Sequence, residues 1–514
     1  MIRTRQLLTG IVGVAALVFA AQSGVSAATN GAATTTDAAA TTSPATTTPA
    51  PSAAAAAGRP NIVFMLTDDM SSNLLQYMPE VRKLQSQGTS FSDYVVSNSL
   101  CCPSRSSIYT GLYPHNTGVL GNEGPNGGFD AFHNNGLERD TFATALKAKG
   151  YRTAMMGKYL NGYDPTDTVD GQQPYVPPGW SQWDVVGNGY REYNYKLAHN
   201  HRIEPHGNQN KDYLTDVLSK KGQSFIEKSA AANKPFMLEV ALFAPHGPSK
   251  PARRDKHDFP GLSAPQGPAF DKLPTNAPPW LARQDKLTEH EKNTIDKKFR
   301  KRAQSLQAVD KMLGKLRQTL ERAHVADDTY VVFSSDNGFH LGEYRLKAGK
   351  QTAFDTDVRV PLVIAGPHVA AAQTSHAQVS NIDFAPTFQK IGGAPVSSRV
   401  DGHSMLQLLD GGSDAGWRTA NLIEHQHAKQ SPGDPDNHGG ESISPPDYHA
   451  MRTDSHTYLE YDSGAKEYYD LRTDPDQLHN IADRLSGARL AKLHDALIRL
   501  ENCRGDGCWS AGHA

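Results

Sequence analysis

Three short stretches of this chain carry side chains whose types and spacing can do chemistry. The first is Cys101-Cys102-Pro103-Ser104-Arg105, continuing through Ser106, Ser107, Ile108 and Tyr109 to Thr110-Gly111. It reads as a loop entering a short helix. Pro103 suits the first helical position, where its missing N–H costs nothing, and Gly111 suits the C-terminal cap. Cys101 then sits at the positive end of a helix, beside Ser104 and Arg105, where an anion is welcome. The other two stretches are Asp68-Asp69 and Asp336-Asn337. Three carboxylates and an amide oxygen make a hard, all-oxygen donor set suited to Ca²⁺ or Mg²⁺. Each acidic pair alone is a common turn sequence. Their position along the chain is what gives them weight.

That position is set by the strands before them. Residues 61–66 are a continuous apolar run ending in Thr67-Asp68-Asp69, the pattern of a strand covered on both faces, as in a parallel sheet. Residues 141–149 read as a helix stopped by Gly150, and 151–156 as the next strand. Residues 236–243 read as a strand running into Ala244-Pro245-His246, and 288–323 as a long amphipathic helix. Residues 329–333 form a strand that leads to Asp336, and 360–365 another. Strands alternating with helices predict an α/β fold with a large, mostly parallel sheet sandwiched by helices. Asp68, Asp69, Lys158, His246, Asp336 and Asn337 all follow strands, at the carboxyl edge where such sheets build sites. After about residue 416 the character changes. Short strands at 450–452, 457–461 and 467–471, then a helix at 488–500, predict a small antiparallel sheet with a helix packed against the main domain.

The chain has 514 residues and a net charge of −2, which argues against nucleic acid as a partner. The basic segment 297–302 reads as the solvated face of a helix. Arg3 and Arg5, an apolar run over 7–21 and small residues ending in Val25-Ser26-Ala27 make residues 1–27 a secretory signal peptide, with no membrane span left after cleavage. Residues 28–58 are almost wholly Ala, Thr, Ser and Pro, a disordered linker. The expected localisation is secreted, with cell-wall association open. The domains expected are 59–415, catalytic, and 416–514, C-terminal, with an extended surface loop at about 430–447. Of four cysteines, Cys503 and Cys508 flank Arg-Gly-Asp-Gly, a loop that closes easily into a disulfide. The neighbours Cys101 and Cys102 cannot bridge each other without strain. Two unpaired thiols are thus left in the motif at the helix start.

The motif Cys101-Cys102-Pro103-Ser104-Arg105 resembles the signature of the formylglycine-dependent sulfatases, members of the alkaline-phosphatase-like superfamily. The resemblance extends to Gly157-Lys158-Tyr159-Leu160-Asn161, Ala244-Pro245-His246, Ser335-Asp336-Asn337-Gly338, Lys350, Asp357-Val-Arg-Val-Pro361 and Asp470-Leu-Arg-Thr-Asp-Pro475. With Val176-Pro-Pro-Gly-Trp180 and Tyr193-Asn194-Tyr195, the chain looks most like the branch of N-acetylglucosamine-6-sulfatases and extracellular heparan endosulfatases. The resemblance implies that a formylglycine-generating enzyme converts Cys101 to formylglycine, whose hydrate attacks sulfur and releases sulfate as the aldehyde re-forms. It implies a divalent metal, Ca²⁺ or Mg²⁺, held by Asp68, Asp69, residue 101, Asp336 and Asn337. Arg105 would orient the formylglycine, Lys158 and Lys350 would neutralise the sulfate, and His246 would protonate the leaving alcohol. The substrate implied is a sulfated small molecule or glycan. Many sulfatases carry a second His where this chain has Leu160, and Asn161, His115 and His340 are candidates for its role. Cys102 is most simply a small buried residue. A phosphonate or phosphate monoesterase of the same superfamily, and a silent protein that binds sulfated glycans, are the alternatives.

Overall fold

All seven side chains of strand β1 (Asn61–Thr67) are buried, as a continuous apolar run in a covered sheet should be. The chain is described here from a computed structural model covering residues 58–426 and 445–513. The predicted signal peptide, nearly all of the linker, and most of the loop at 430–447 lie outside these residues. The other strands of the main sheet are β2 (Thr89–Phe91), β3 (Arg152–Gly157), β4 (Gln182–Val186), β5 (Tyr195–His199), β6 (Arg202–His206), β7 (Phe236–Ala241), β8 (Thr329–Ser335), β9 (Leu362–Ala365) and β10 (Gln373–Ser375). They lie in the order β10-β2-β9-β8-β1-β7-β3-β4-β5-β6. The five strands from β8 to β4 are parallel. Toward the edges, β9, β5 and β6 run antiparallel to their neighbours.

The central strands end level with one another. Leu66 of β1 pairs with Ala241 of β7, Ala241 with Gly157 of β3, and Thr67 with Ser335 of β8. Side chains alternate across the sheet. Ile62, Phe64 and Leu66 face one core, which includes Ile108 and Tyr109 of helix α1 (Cys101–Thr110), Phe142 and Leu146 of α2 (Phe142–Ala148), and Phe384 and Phe388 of α3 (Phe384–Ile391). Val63 and Met65 face the other, which includes Leu218 and Phe225 of α4 (Leu214–Ala231) and Phe299 and Leu306 of α5 (Glu289–Arg322). The result is the predicted α/β sandwich. Its sheet centre depends on residues such as Phe64, fully buried against the rings of Phe384 and Phe388. Truncating a phenylalanine in such a place costs about 3–5 kcal/mol.

Helix α5 starts where the sequence implied. Thr288 is its N-cap, accepting from the Glu291 N–H while the Glu291 carboxylate accepts from the Thr288 N–H. The C-terminal sheet is an antiparallel meander of β11 (Ala420–His425), β12 (Tyr448–Thr453), β13 (His456–Tyr461) and β14 (Lys466–Asp470). Its first strand was not expected from the sequence. Helix α6 (Gly487–Glu501) packs Leu493, Leu497 and Leu500 against Leu422, Met451 and Tyr458. Cys503 and Cys508 are disulfide-bonded with their Cα atoms 4.8 Å apart.

Candidate active site

Four adjacent strands deliver the site from their carboxyl ends. Asp68 and Asp69 follow β1, Lys158 follows β3, Asp336 and Asn337 follow β8, and His246 lies in the loop after β7. Gly157 is required at the end of β3. Its φ is +101°, and a Cβ there would stand 1.9 Å from the carbonyl oxygen of Ala241. Asp69 adopts a left-handed conformation, φ 65°, which costs a non-glycine residue free energy. Its surroundings hold it there. Its N–H donates to Asp336 Oδ1 at 3.1 Å, the next N–H donates to Ser335 Oγ at 2.9 Å, and its carbonyl accepts from Arg302.

Helix α1 begins at Cys101, two residues earlier than expected. Leu100 is the N-cap, and the Ser104 N–H makes a 3.1 Å bond to its carbonyl. Pro103 is therefore at the third helical position, still among those whose N–H has no partner within the helix, so proline costs no hydrogen bond there. Gly111 closes the helix at φ 76°. Cys101 occupies the first turn with its sulfur among charges. Its Sγ lies 3.2 Å from Asp68 Oδ1 and 2.9 Å from Lys350 Nζ. Lys158 Nζ is 2.6 Å from Asp68 Oδ2, and Lys350 Nζ is 2.7 Å from Asp69 Oδ1. Arg105 donates from Nε to Asp336 Oδ2 at 2.8 Å and from Nη1 to the Lys158 carbonyl at 2.9 Å. His246 places Nε2 3.6 Å from Asp69 Oδ2, and its Nδ1 is 2.8 Å from the Gly247 carbonyl.

All of these side chains are buried, so their charges act on one another strongly. Burial pushes the Asp68 carboxyl up, but Lys158, His246, Arg105 and Lys350 together outweigh it and hold it well below the usual carboxylate range. Burial, then the charge of Asp68, raise Asp336 to about 6 against the pull of Arg105. Burial and Asp68 push the Cys101 thiol well above its ordinary value. Burial alone would lower Lys158, and Asp68 reverses it.

The donor set fits a divalent cation. Asp68, Asp69, Cys101 and His246 each offer a ligand atom within 4.8 Å of the others. Asp69 Oδ2 and Asn337 Oδ1 are buried oxygens with no hydrogen-bond partner. An isolated buried group of this kind costs about 1–3 kcal/mol, which a bound ion would offset. Asp336 Oδ1 accepts from both Asp69 N and Asn337 N, whereas Oδ2 accepts from Arg105 Nε alone and so retains a second lone pair for an ion.

The structure brings Asp68, Asp69, Cys101, Arg105, Lys158, His246, Asp336, Asn337 and Lys350 into one cluster. Of the candidates for the missing histidine, His115 lies outside it: it pairs with Glu424 and faces the Cys503 carbonyl. His340 is held by Asp357 and bridges Gly349, next to Lys350. Asn161 donates its N–H to Cys102 Sγ, and its side-chain amide is buried without a partner. Cys102 is buried as expected. The reading of 297–302 as solvated needs correction at Arg302. It is 2% exposed, donates to the carbonyls of Asp69 and Pro245, and stacks 4.3 Å above the Phe339 ring. Burial lowers it to about 10 despite Asp69 and Asp68. Tyr190 was also missed. Its ring is 4.6 Å from that of His246 and 5.1 Å from Lys158 Nζ.

Residues 60–394 match the sulfatase family, and residues 342–503 match the C-terminal region of N-sulphoglucosamine sulphohydrolase. The chain is 36% identical over 490 residues to human N-acetylglucosamine-6-sulfatase, covering 89% of this chain and 87% of that protein. It is 34% identical over 392 residues to the extracellular sulfatase SULF-1 homolog of Drosophila melanogaster, covering 74% of this chain and 34% of that protein. A solved structure whose chain is in complex with its substrate D-glucosamine-2-N,6-O-disulfate superposes with a TM-score of 0.70 at 23% identity, covering 86% of this chain and 97% of that one. Both the matched span and the full-length identity say the same thing: this chain belongs to the sulfatase family and is a sulfuric ester hydrolase.

Proposed function

We propose that the protein is an exported sulfatase that removes the 6-sulfate of a glucosamine-type sugar. The observation that carries this reading is the seat of Cys101. Its Sγ stands at the first turn of α1, 2.9 Å from Lys350 Nζ and 3.2 Å from Asp68 Oδ1, where an anionic ester meets two lysines. The 36% identity to an N-acetylglucosamine-6-sulfatase supports the choice of sugar. The signal-peptide pattern of residues 1–27 supports export. Among the described residues, no helix is long and apolar enough to cross a membrane.

A formylglycine in place of Cys101 would supply an oxygen nucleophile that a buried, protonated thiol lacks. A Ca²⁺ or Mg²⁺ held by Asp68, Asp69, Asp336 and Asn337, with residue 101 alongside, would supply Lewis-acid charge beside the sulfate. The chain's own residues do the rest. Lys158 and Lys350 bind the sulfate oxygens and take up the negative charge that grows as the ester S–O bond breaks. His246, its Nδ1 facing a backbone carbonyl, presents Nε2 toward the site and delivers a proton to the departing sugar oxygen. Arg105, locked between Asp336 and the Lys158 carbonyl, fixes the helix start that carries residue 101. Burial of every charged group excludes water from their interactions.

Two measurements test this. Mass spectrometry of the peptide spanning residues 84–105 from active, exported protein should show the aldehyde at position 101. An unmodified thiol in active preparations would refute the mechanism. Hydrolysis of N-acetylglucosamine 6-sulfate should also exceed that of the corresponding phosphate and of an aryl phosphonate. A preference for phosphonate would reassign the activity.

A further inference from the structure

The His246 side of the site adjoins a cavity of about 500 Å³, within the roughly 300–1,000 Å³ typical of ligand pockets. Tyr190, whose ring is 4.6 Å from that of His246, and Gly247 and Pro248, which follow His246 in the chain, line it. Part of the lining comes from α5. Lys298, Lys301 and Arg302 are three and four residues apart, hence on one face of that helix, and all line the cavity. Arg191 faces it as well, and no carboxylate is among the described residues that line it. Arg302 is 2% exposed, and its Nε has no hydrogen-bond partner. A protein of net charge −2 has thus gathered four cationic side chains around one hollow.

The placement is meaningful because of what His246 does. The group that gives up its sulfate takes its proton from His246, so the sugar must lie on the His246 side, where this cavity is. We propose that Arg191, Lys298, Lys301 and Arg302 form a binding site for a second anionic group on the leaving sugar, so that the preferred substrate carries two negative charges, one cleaved and one read. This rests on the proposed hydrolysis of a sugar sulfate in the adjoining site. A sulfate and a carboxylate share the chemistry that these cations recognise.

The test uses the full-length protein, a Lys298→Ala/Lys301→Ala double variant and Arg191→Ala. The substrates are 4-nitrophenyl sulfate, N-acetylglucosamine 6-sulfate and D-glucosamine-2-N,6-O-disulfate. A uronic acid–N-acetylglucosamine 6-sulfate disaccharide and its methyl ester complete the set. The unaltered protein should favour a doubly anionic sugar over the monosulfate at least tenfold in kcat/KM, chiefly through KM, and added salt should erode the preference. The double variant should cut that preference to threefold or less while leaving 4-nitrophenyl sulfate within twofold. Preference for the disulfated sugar identifies a sulfate as the second anion, and preference for the free acid over its ester identifies a carboxylate. Equal losses on all substrates, or no preference in the unaltered protein, would overturn the proposal. If the unaltered protein hydrolyses none of them, the proposed sugar 6-sulfatase function has failed. Calorimetric binding of the disulfated sugar then still decides the cavity: a tenfold weakening in the double variant supports it, and unchanged affinity refutes it.

Discussion

Lys350 holds its ammonium 2.9 Å from the Cys101 sulfur and 2.7 Å from Asp69 Oδ1, bridging the proposed nucleophile position and a proposed metal ligand with one charge. Lys350→Ala should therefore lower kcat on an aryl sulfate by about 10²–10³, the usual cost of removing one group that stabilises transition-state charge. Circular dichroism should remain that of the unaltered protein. A loss of less than threefold would place Lys350 outside the chemistry.

The two neighbouring cysteines should separate cleanly. Cys101→Ala should abolish turnover and leave no aldehyde in the tryptic peptide. Cys102→Ala should retain the aldehyde and most of the activity, at a stability cost of about 1 kcal/mol for a small buried side chain. Urea titration and mass spectrometry of both variants check this, and an active Cys101→Ala would count against the whole site.

Chelation offers a third check. Lys158 and Lys350 already pair with Asp68 and Asp69, so the carboxylates are compensated within the chain. Treatment with EDTA should abolish activity, and added Ca²⁺ or Mg²⁺ should restore it. The protein should nevertheless stay folded, its thermal midpoint falling by several degrees through lost linkage. Collapse of the near-ultraviolet circular dichroism on chelation would show that the ion holds the fold as well.

Arg302 should act on the metal from behind. It holds the carbonyl of Asp69, whose left-handed backbone aims the carboxylate. Arg302→Met should weaken calcium binding about 10–100-fold, as losing the support of a ligand commonly does. Calcium titration reads this directly, and unchanged affinity would mean that Arg302 gives the metal ligands no support.

A fifth prediction concerns pH. Glu239 lies in the middle of β7, fully buried, with Tyr109 donating to Oε1 and no partner for Oε2. Burial raises its carboxyl to about 8, against the opposing pull of Arg105. The folded protein thus keeps a proton that the unfolded chain loses near pH 4.5, so this group lowers stability as pH rises between about 4.5 and 8. A shift of this size is on the order of 5 kcal/mol. Glu239→Gln should remove that slope. Urea unfolding at pH 5 and pH 8 should give a smaller difference in the variant than in the unaltered protein.

Much of this was written in local pattern. The continuous apolar runs of β1, β7 and β8 announced a buried parallel sheet, and the acidic pairs announced themselves by following two of those strands. Strand order was not legible, because nothing local says that β1 sits between β7 and β8. The strands from residue 182 to 206 escaped because polar residues interrupt their runs and no helix separates them. β11 was missed as a single short run after a turn-rich stretch. Arg302 was hidden by its basic neighbours, yet a signal existed. Ile295, Phe299, Arg302, Leu306 and Val309 share one helical phase, so the arginine lies in register with the apolar stripe.

The level ends of β1, β3, β7 and β8 bear on how the protein is made. The Asp69 N–H reaches Asp336 across 267 positions of chain. During synthesis, Cys101 and the first acidic pair emerge long before β8 exists. A nascent chain cut short of Ser335 would carry the reactive segment without the partners that hold it. Turnover is thus a late event in the life of the chain, and appears only when the last central strand has docked.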